Sequence, residues 1–182
     1  MDWNRTVFLH TGWTKHYNGN ETPEGGHSYL ENSEDGAEKS NFMETDDFCF
    51  GYAPVRKNEN TRTIKISRLG KTNKQDFIEN INVVWTAKNP NNKSVIVGVY
   101  HNAILYRNLQ SNPTLHIAKV RKEDAHLIDL RLRDFKLIRG KKGYQGQASA
   151  WFPAKSKATE IKEYLQKIEE YLDKVTDKQL VV

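Results

Sequence analysis

The strongest pattern of hydrophobic and polar positions lies between residues 83 and 107. Two runs of β-branched and aromatic residues flank a turn rich in Asn and Pro, which predicts two paired β-strands. The segment carries the large aromatics Trp85, Tyr100 and Tyr106 among short aliphatic residues and ends at Arg107. Flat rings beside amide and guanidinium groups can hold a planar polar group such as a nucleobase, so the segment predicts a binding pocket.

Shorter strand patterns recur along the rest of the chain. They lie at residues 6–11, 48–53, 61–69, 115–120 and 135–138, with single helical turns predicted at 75–80 and 122–127. Residues 18–39 are rich in Gly, Asn, Glu and Ser. This composition predicts a long loop, which is either a binding loop or an acidic insertion.

The C-terminal segment has the pattern of an amphipathic helix at about 157–175, with Ser156 as its predicted N-cap. Its apolar residues, at three- and four-residue steps, are Ile161, Tyr164, Leu165, Ile168, Tyr171, Leu172 and Val175. The patterns together predict an α+β fold, a curved, barrel-like sheet with flanking helices and this helix across it. Without a linker or a repeat, residues 1–182 are expected to form one domain.

Charge is distributed unevenly along the chain. Residues 1–50 hold 3 Lys or Arg against 10 Asp or Glu, whereas residues 51–150 hold 19 against 7. A basic side on a domain favours a polyanionic partner, because each phosphate contact releases counterions. A solvated basic surface without a partner is the alternative interpretation.

Targeting and membrane patterns are missing from the sequence. The amino terminus has no basic segment followed by a long apolar run, and apolar runs stay far below the ~18 residues of a membrane span. Cys49 is the only cysteine and cannot form an internal disulfide, which fits a reducing compartment. We therefore expect a cytoplasmic protein without a membrane partner.

Residues that build common catalytic sites do not occur at the required spacing. The histidines and Cys49 are too dispersed for zinc or for a base-deaminase centre, and Gly25-Gly26 lacks the Lys-Ser/Thr of a phosphate loop. Glu160-Ile161-Lys162 fits the solvent face of the helix better than a nuclease motif. We expect no enzyme activity, no cofactor and no metal, and any nuclease domain would lie outside this chain.

Several aromatic residues occupy positions typical of a cleft rim. Trp13 follows a strand and precedes a loop, and Tyr29 follows His27 and Ser28 in a loop that begins with two glycines. Trp85 lies inside a strand and therefore faces either the core or a cavity lined by the sheet.

Blocks of the sequence, taken in order, carry a resemblance to a known family. They are Phe-Leu-His-Thr-Gly-Trp (8–13), Gly-Gly-His-Ser-Tyr (25–29), Phe-Gly-Tyr (50–52), Ile-Ser-Arg-Leu-Gly (66–70), Val-Val-Trp-Thr-Ala (83–87), Val-Gly-Val-Tyr-His-Asn-Ala-Ile-Leu-Tyr-Arg (97–107) and Gly-Gln-Ala-Ser-Ala-Trp-Phe (146–152). This order resembles the amino-terminal domain found ahead of HNH nuclease domains in many bacterial proteins. That domain is similar to the EVE, YTH and PUA group, whose members have a curved β-sheet and cage a modified base between aromatic rings.

The resemblance implies specific site residues. The base pocket would be built by Trp13, His27, Ser28, Tyr29, Trp85, Tyr100 and Asn102. Phosphate contacts are expected from Arg68, Lys71, Arg107, Arg139, Lys141 and Lys142. The sequence departs from the family at Val99, where the family has Trp, and at His27, where it has Gly.

These residues lead to an expected function with open alternatives. The chain would be a nucleic-acid-binding module that flips a modified cytosine or adenine of DNA into an aromatic cage, and would serve a nuclease in a modification-dependent restriction system. Unstacking costs a few kcal/mol, and stacking returns ~1–3 kcal/mol per ring. An RNA-binding module of the PUA kind and a protein-interaction domain with the aromatics in its core are the alternatives.

Overall fold

A long β-hairpin forms the centre of the fold. The computed structural model describes residues 1–24, 37–54, 57–58, 61–70, 76–146 and 150–179. Its strands are β1 Thr6–Thr11, β2 Glu44–Thr45, β3 Phe48–Gly51, β4 Lys57–Asn58, β5 Thr61–Arg62, β6 Phe77–Lys88, β7 Ser94–Gln110, β8 His116–Arg121, β9 Ala125–Leu127 and β10 Ala150–Trp151. The α-helix α1 spans Ile161–Gln179. Short 3₁₀ turns cover Trp3–Arg5, Ala37–Ser40, Ile66–Arg68, Lys122–Asp124, Leu130–Leu132 and Pro153–Lys155.

Eight strands form one mixed sheet in the order β10-β1-β6-β7-β8-β3-β2, with β9 pairing with β7 off this path. β1 and β6 are parallel, whereas the other described pairs are antiparallel. The end strands β10 and β2 do not pair with each other, so the sheet is open. β4 and β5 form a separate two-stranded ribbon. The α+β class expected from the sequence is thus confirmed.

The β6–β7 hairpin confirms the strongest sequence prediction and extends it at both ends. At its turn the Lys93 N–H donates to Asn89 Oδ1 at 2.9 Å, so an asparagine side chain closes the loop. Asn80 and Asn102 have φ of 54° and 52°, in the left-handed region that Asn tolerates better than most residues. The pairing register shifts on both sides of Ile81 and again after Trp85, and such irregularities bend a strand.

Each face of the sheet carries its own hydrophobic core, because successive side chains on a strand point to opposite faces. The first core contains Val7, Leu9, Val83, Trp85, Tyr100 and Leu105. The second core contains Phe8, Val84, Ile96 and Val99, and the apolar stripe of α1 packs there through Tyr164, Leu165, Ile168, Leu172 and Val175. The predicted helix stripe is therefore confirmed. In the described ranges, no helix combines the length and the apolar character that crossing a membrane requires.

The helix begins later than its sequence pattern indicated. Ser156 ends the preceding 3₁₀ turn, where its N–H donates to the Pro153 carbonyl at 2.9 Å. Its hydroxyl donates to the Gly143 carbonyl at 2.6 Å and does not cap α1. The prediction of Ser156 as N-cap was wrong because this side chain is used to hold a neighbouring turn.

Two strand predictions also failed. Of residues 61–69, only Thr61–Arg62 is a strand, and Ile66–Arg68 forms a 3₁₀ turn that helps to bury Ile64, Ile66 and Leu69 together in the first core. Residues 135–138 form no strand and pair only through one bridge between Val95 and Lys136.

The two predicted helical turns were replaced in whole or in part by strands. Phe77 already belongs to β6, within the segment 75–80. In 122–127, a 3₁₀ turn at Lys122–Asp124 leads directly into β9. Both segments form strands because they pair with β7, and a local sequence pattern does not report such pairing.

Gly51 makes room for the aromatic centre of the first core. A Cβ atom at this position would overlap the Trp85 indole and would lie 3.0 Å from Tyr100 Cε2. Trp85 and Tyr100 are both fully buried, so neither ring can move aside into solvent. The packing of the first core therefore requires glycine on β3.

We expect Gly51→Ala to lower the free energy of unfolding by about 1–3 kcal/mol, because overpacking forces rings from their positions. Urea denaturation measures the change. Gly146→Ala is the matched control, since its Cβ would meet no atom within 4 Å, and it should stay within about 0.5 kcal/mol of the parent. Equal stability of the two variants would contradict the packing described.

Candidate functional site

Trp85 and Tyr100 lie together in the first core. Their ring centroids are 5.3 Å apart with an interplanar angle of 71°, and both side chains are fully buried. Trp85 Nε1 and Tyr100 Oη have no hydrogen-bond partner among the described residues. Burial raises the pKa of Tyr100 well above its usual value. The two rings form a closed, edge-to-face contact and not two parallel walls of an open cage.

The third large aromatic, Trp13, lies at the edge of the sheet where β1 ends. Its N–H donates to the Glu24 carbonyl at 3.0 Å, and the Glu24 N–H donates back at 2.7 Å. The residue is 7% exposed and belongs to the first core, so it is nearly buried at this edge. We call Gly12, Trp13, Tyr17, Glu38 and Arg133 the Trp13 corner.

Arg133 holds the backbone of the Trp13 corner in place. Its guanidinium carbon lies 5.3 Å from the Trp13 ring centroid and 5.6 Å from that of Tyr17. The same group donates to the carbonyls of Ile128, Thr14 and Lys15 at 2.8, 3.0 and 2.7 Å. Burial lowers its pKa from the usual value of a guanidinium. A buried cation held by three carbonyls gives this edge a fixed shape.

Glu38 brings a carboxyl group to the same corner through its contact with Gly12. It lies in the 3₁₀ turn Ala37–Ser40, is 3% exposed, and accepts the Gly12 N–H at 2.6 Å. A Cβ at Gly12 would overlap this carboxyl, so the contact needs glycine before Trp13. Burial raises the pKa of Glu38 to about 7, against the opposing effect of the Gly12 hydrogen bond.

Tyr17 connects the corner to the first core. Its hydroxyl donates to the Gly12 carbonyl at 2.7 Å, and burial raises the pKa of the phenol. Phe42 lies between Tyr17 and Tyr100. Its ring centroid is 5.9 Å from that of Tyr17 and 5.2 Å from that of Tyr100. The structure thus joins Tyr17 to Tyr100 and Trp85 through Phe42, and the Arg133 guanidinium lies near the rings of both Tyr17 and Trp13.

Glu38 and Arg133 are the two Asp, Glu, Lys or Arg side chains that are buried in the described part of the chain. No ion pair joins them, so neither charge is neutralised by the other. Buried ionisable groups that lack a charge partner are costly and concentrate at functional sites. Because Glu38 and Arg133 both lie in the corner that holds Trp13, the Trp13 corner is the candidate site.

The remaining predicted pocket residues lie elsewhere or outside the described residues. Asn102 is exposed on β7, and its amide nitrogen lies 3.4 Å from Asp124 Oδ1. Val99, where the resembled family has Trp, is buried in the second core, on the face opposite Trp85. His27, Ser28 and Tyr29 lie outside the described residues.

The predicted phosphate-binding residues are dispersed. Arg139 is half-buried, and its Nη1 lies 3.2 Å from both Ser94 Oγ and His10 Nδ1 while Nη2 donates to the Gly146 carbonyl at 2.6 Å. Burial lowers the pKa of this guanidinium. Arg139 therefore stabilises the edge of the sheet near the end of β1. Lys141 and Lys142 follow it closely in sequence.

Lys141 and Lys142 line a surface groove of about 380 Å³ together with Lys157, Tyr144 and Glu160. Lys141 Nζ lies 3.1 Å from Glu160 Oε2, and 5.3 Å from the Tyr144 ring centroid. The groove is basic in balance and open to solvent, which suits a phosphate contact.

Arg68 and Arg107 lie on the side of the first core. Arg68 is exposed above Phe152, with its guanidinium carbon 5.3 Å from the ring centroid. Arg107 is partly exposed and lies 3.9 Å from Asp76 Oδ1. Lys71 lies outside the described residues.

Sequence reasoning missed Glu38 and Arg133. Glu38 follows an acidic stretch that has the composition of a solvated loop, and Arg133 lies among other charged residues. Burial of a charge depends on which segments meet in space, and no local pattern reports it. The described residues contain no cluster of His, Cys, Asp or Glu that could hold a metal ion.

Comparison with protein-family models, curated proteins and solved structures finds no match for this chain.

The raised pKa of Glu38 predicts a pH-dependent stability. The folded state favours the neutral carboxyl, so its stabilising effect is complete below pH 4.5 and is lost as the pH rises through about 7. The loss should reach up to about 3 kcal/mol. Urea denaturation between these values should show this slope in the parent and a much flatter profile in Glu38→Gln.

Glu163→Gln is the matched control, because Glu163 is exposed on α1. It should keep the parent slope. The same slope in Glu38→Gln as in the parent would show that the Glu38 carboxyl is not the titrating group.

Proposed function

We propose that this chain is a recognition module that reads a modified cytosine or adenine in DNA at the Trp13 corner. The observation that carries the proposal is the buried carboxyl of Glu38 beside an edge tryptophan, held by a single backbone hydrogen bond from Gly12. An aromatic face supplies stacking and a carboxyl supplies edge recognition, which are the two requirements for reading an extruded base.

The protonation state of the carboxyl decides which hydrogen bonds it offers to a base. A protonated carboxyl presents one O–H donor and acceptor lone pairs. Cytosine and adenine each present a ring nitrogen that accepts and an exocyclic amine that donates, so a neutral Glu38 matches both groups on one edge. Thymine and guanine present a ring N–H beside a carbonyl at this edge, and a neutral carboxyl can also pair with these groups, so discrimination against them would have to come from the fit around the base. A pKa raised to about 7 keeps this form populated near neutral pH.

The core aromatics support the corner from within. Trp85 and Tyr100 pack against Gly51, and Phe42 continues this packing to Tyr17 in the Trp13 corner. Trp13 and Glu38 are 7% and 3% exposed, so a base would enter only when the corner opens, while the closed packing of Trp85 and Tyr100 holds the core behind it. In this proposal Trp13 stacks on the base, and Trp85 and Tyr100 hold its surroundings.

The shape of the sheet supports kinship with the EVE, YTH and PUA group. β3 is three strands from β6 in the sheet order, yet the Trp85 indole on β6 reaches Gly51 on β3. Strands lie about 4.8 Å apart, so a flat sheet would hold these positions beyond the reach of one side chain. The contact favours a sheet that curves around the first core.

Phosphate contacts would come from the basic edge next to the corner. Arg139 bonds to His10 near the end of β1, and Lys141 and Lys142 follow it in the surface groove. A duplex whose extruded base enters at Trp13 would place its backbone near this edge. Nuclease activity would reside in a separate domain or subunit, as in modification-dependent restriction.

Fluorescence anisotropy with labelled duplexes tests the proposal. The panel carries one central cytosine, 5-methylcytosine, 5-hydroxymethylcytosine, adenine or N6-methyladenine, at low salt. We expect one modified duplex to bind about tenfold tighter than its unmodified counterpart. Equal affinity for every member, or no binding at all, would contradict base reading and favour a protein-interaction domain.

Three substitutions connect this preference to Glu38. Glu38→Gln keeps a donor and an acceptor, so it should retain the preference and lose its pH dependence. Glu38→Met should weaken binding of the preferred duplex about tenfold, whereas Glu163→Met on α1 should behave as the parent. An unchanged affinity in a folded Glu38→Met protein would remove Glu38 from base recognition.

A further inference from the structure

A row of aromatic side chains crosses four strands of the sheet, away from the Trp13 corner. We call it the aromatic ribbon; its members are Phe48 and Phe50 on β3, His116 on β8, Tyr106 on β7 and Phe77 on β6. Successive ring centroids lie 6.4, 4.9, 5.4 and 6.2 Å apart in that order. The ribbon is therefore continuous across strands β3, β8, β7 and β6.

The ribbon is only partly covered. Phe77 is 37% exposed, and Phe48 and Tyr106 are half-buried. Phe50 and His116 are 7% and 2% exposed and form the floor between them. Phe48 and Phe50 belong to neither core, because Cys49 between them is the residue that points into the first core. Three accessible rings thus lie above a rigid floor.

Cations accompany the rings. Lys119 Nζ lies 3.9 Å from the Phe48 centroid and 5.7 Å from that of Phe50, and Arg121 lies 5.9 Å from Phe48. Arg121 also lies 3.7 Å from Glu123 Oε1. Lys119 has no acidic partner in the part of the chain that the structure describes. One ammonium is therefore placed over rings with its charge uncompensated.

We propose that the aromatic ribbon is a stacking platform for single-stranded DNA. Aromatic rings on an open sheet stack bases without regard to sequence, and interleaved cations contact the phosphates between them. Charge complementarity commits the surface to an anionic partner with flat faces. The choice of DNA rests on the proposed function, since extruding a base disrupts pairing in the strand beside it.

The ribbon and the Trp13 corner are separate surfaces. Thr11, two residues before Trp13, pairs with Ala87 near the end of β6, whereas Phe77 and Tyr106 of the ribbon pair with each other at the start of β6. A variant in one surface can therefore be tested without altering contacts in the other.

Anisotropy with a labelled oligo(dT) of about 15 nucleotides tests the platform. The double variant Phe48→Leu/Tyr106→Leu keeps apolar bulk and removes two stacking faces, and it should weaken binding about fivefold or more. Lys119→Gln should weaken binding and reduce its salt dependence. Leu130→Ala and Lys93→Gln, at exposed positions outside the ribbon, are the matched controls.

Unchanged oligo(dT) affinity in both ribbon variants would overturn the proposal, as would absence of single-strand binding by the parent. Binding of oligo(U) alone would overturn the assignment to DNA. The duplex panel separates the two proposals: ribbon-dependent oligo(dT) binding without a modification preference supports the platform and contradicts base reading. A modification preference without oligo(dT) binding would support base reading and contradict the platform.

Discussion

The contact between the Trp85 indole and Gly51 is the constraint on which the rest of the first core depends. It connects β6 to β3, which are separated by two strands in the sheet, and it leaves no space for a side chain on β3. Tyr100 and Phe42 pack on this contact and carry it to Tyr17. The position of the sheet edge at Trp13 therefore follows from packing deep inside the molecule.

On this rigid edge lie the two groups that packing alone does not explain. A carboxyl and a guanidinium are both taken out of water at the Trp13 corner, and they do not neutralise each other. Removing charges from water is unfavourable, so their retention calls for a use. The proposed base recognition would supply one, because a neutral Glu38 can match the edge of cytosine or adenine and Trp13 would supply the stacking face.

The sequence predicted those parts of the fold that local patterning specifies. The hairpin of β6 and β7 and the apolar stripe of α1 have strong periodicities, and the sequence pattern locates both. Segments whose form depends on distant partners were not. Residues 61–69 have strand composition, yet Ile64, Ile66 and Leu69 become buried together only through a turn.

The residues of the candidate site were likewise predictable only where a local pattern specifies them. Trp13 was predicted because it ends a strand before a loop, and it does lie at the sheet edge. The burial of Trp85 could not be decided from its strand position, which is equally compatible with core and cavity. Glu38 and Arg133 carry no local signal, because their burial results from segments far apart in sequence meeting at Gly12 and Thr14.

The indole N–H signals of the four tryptophans provide the most direct measurement of the central claim. In a ¹H–¹⁵N spectrum, addition of the preferred modified duplex should shift the Trp13 indole signal strongly. The signals of Trp3 and Trp151, which pack with the second core, should remain in place. A saturated complex in which Trp13 is unmoved, or in which Trp3 and Trp151 shift instead, would contradict base reading at the Trp13 corner.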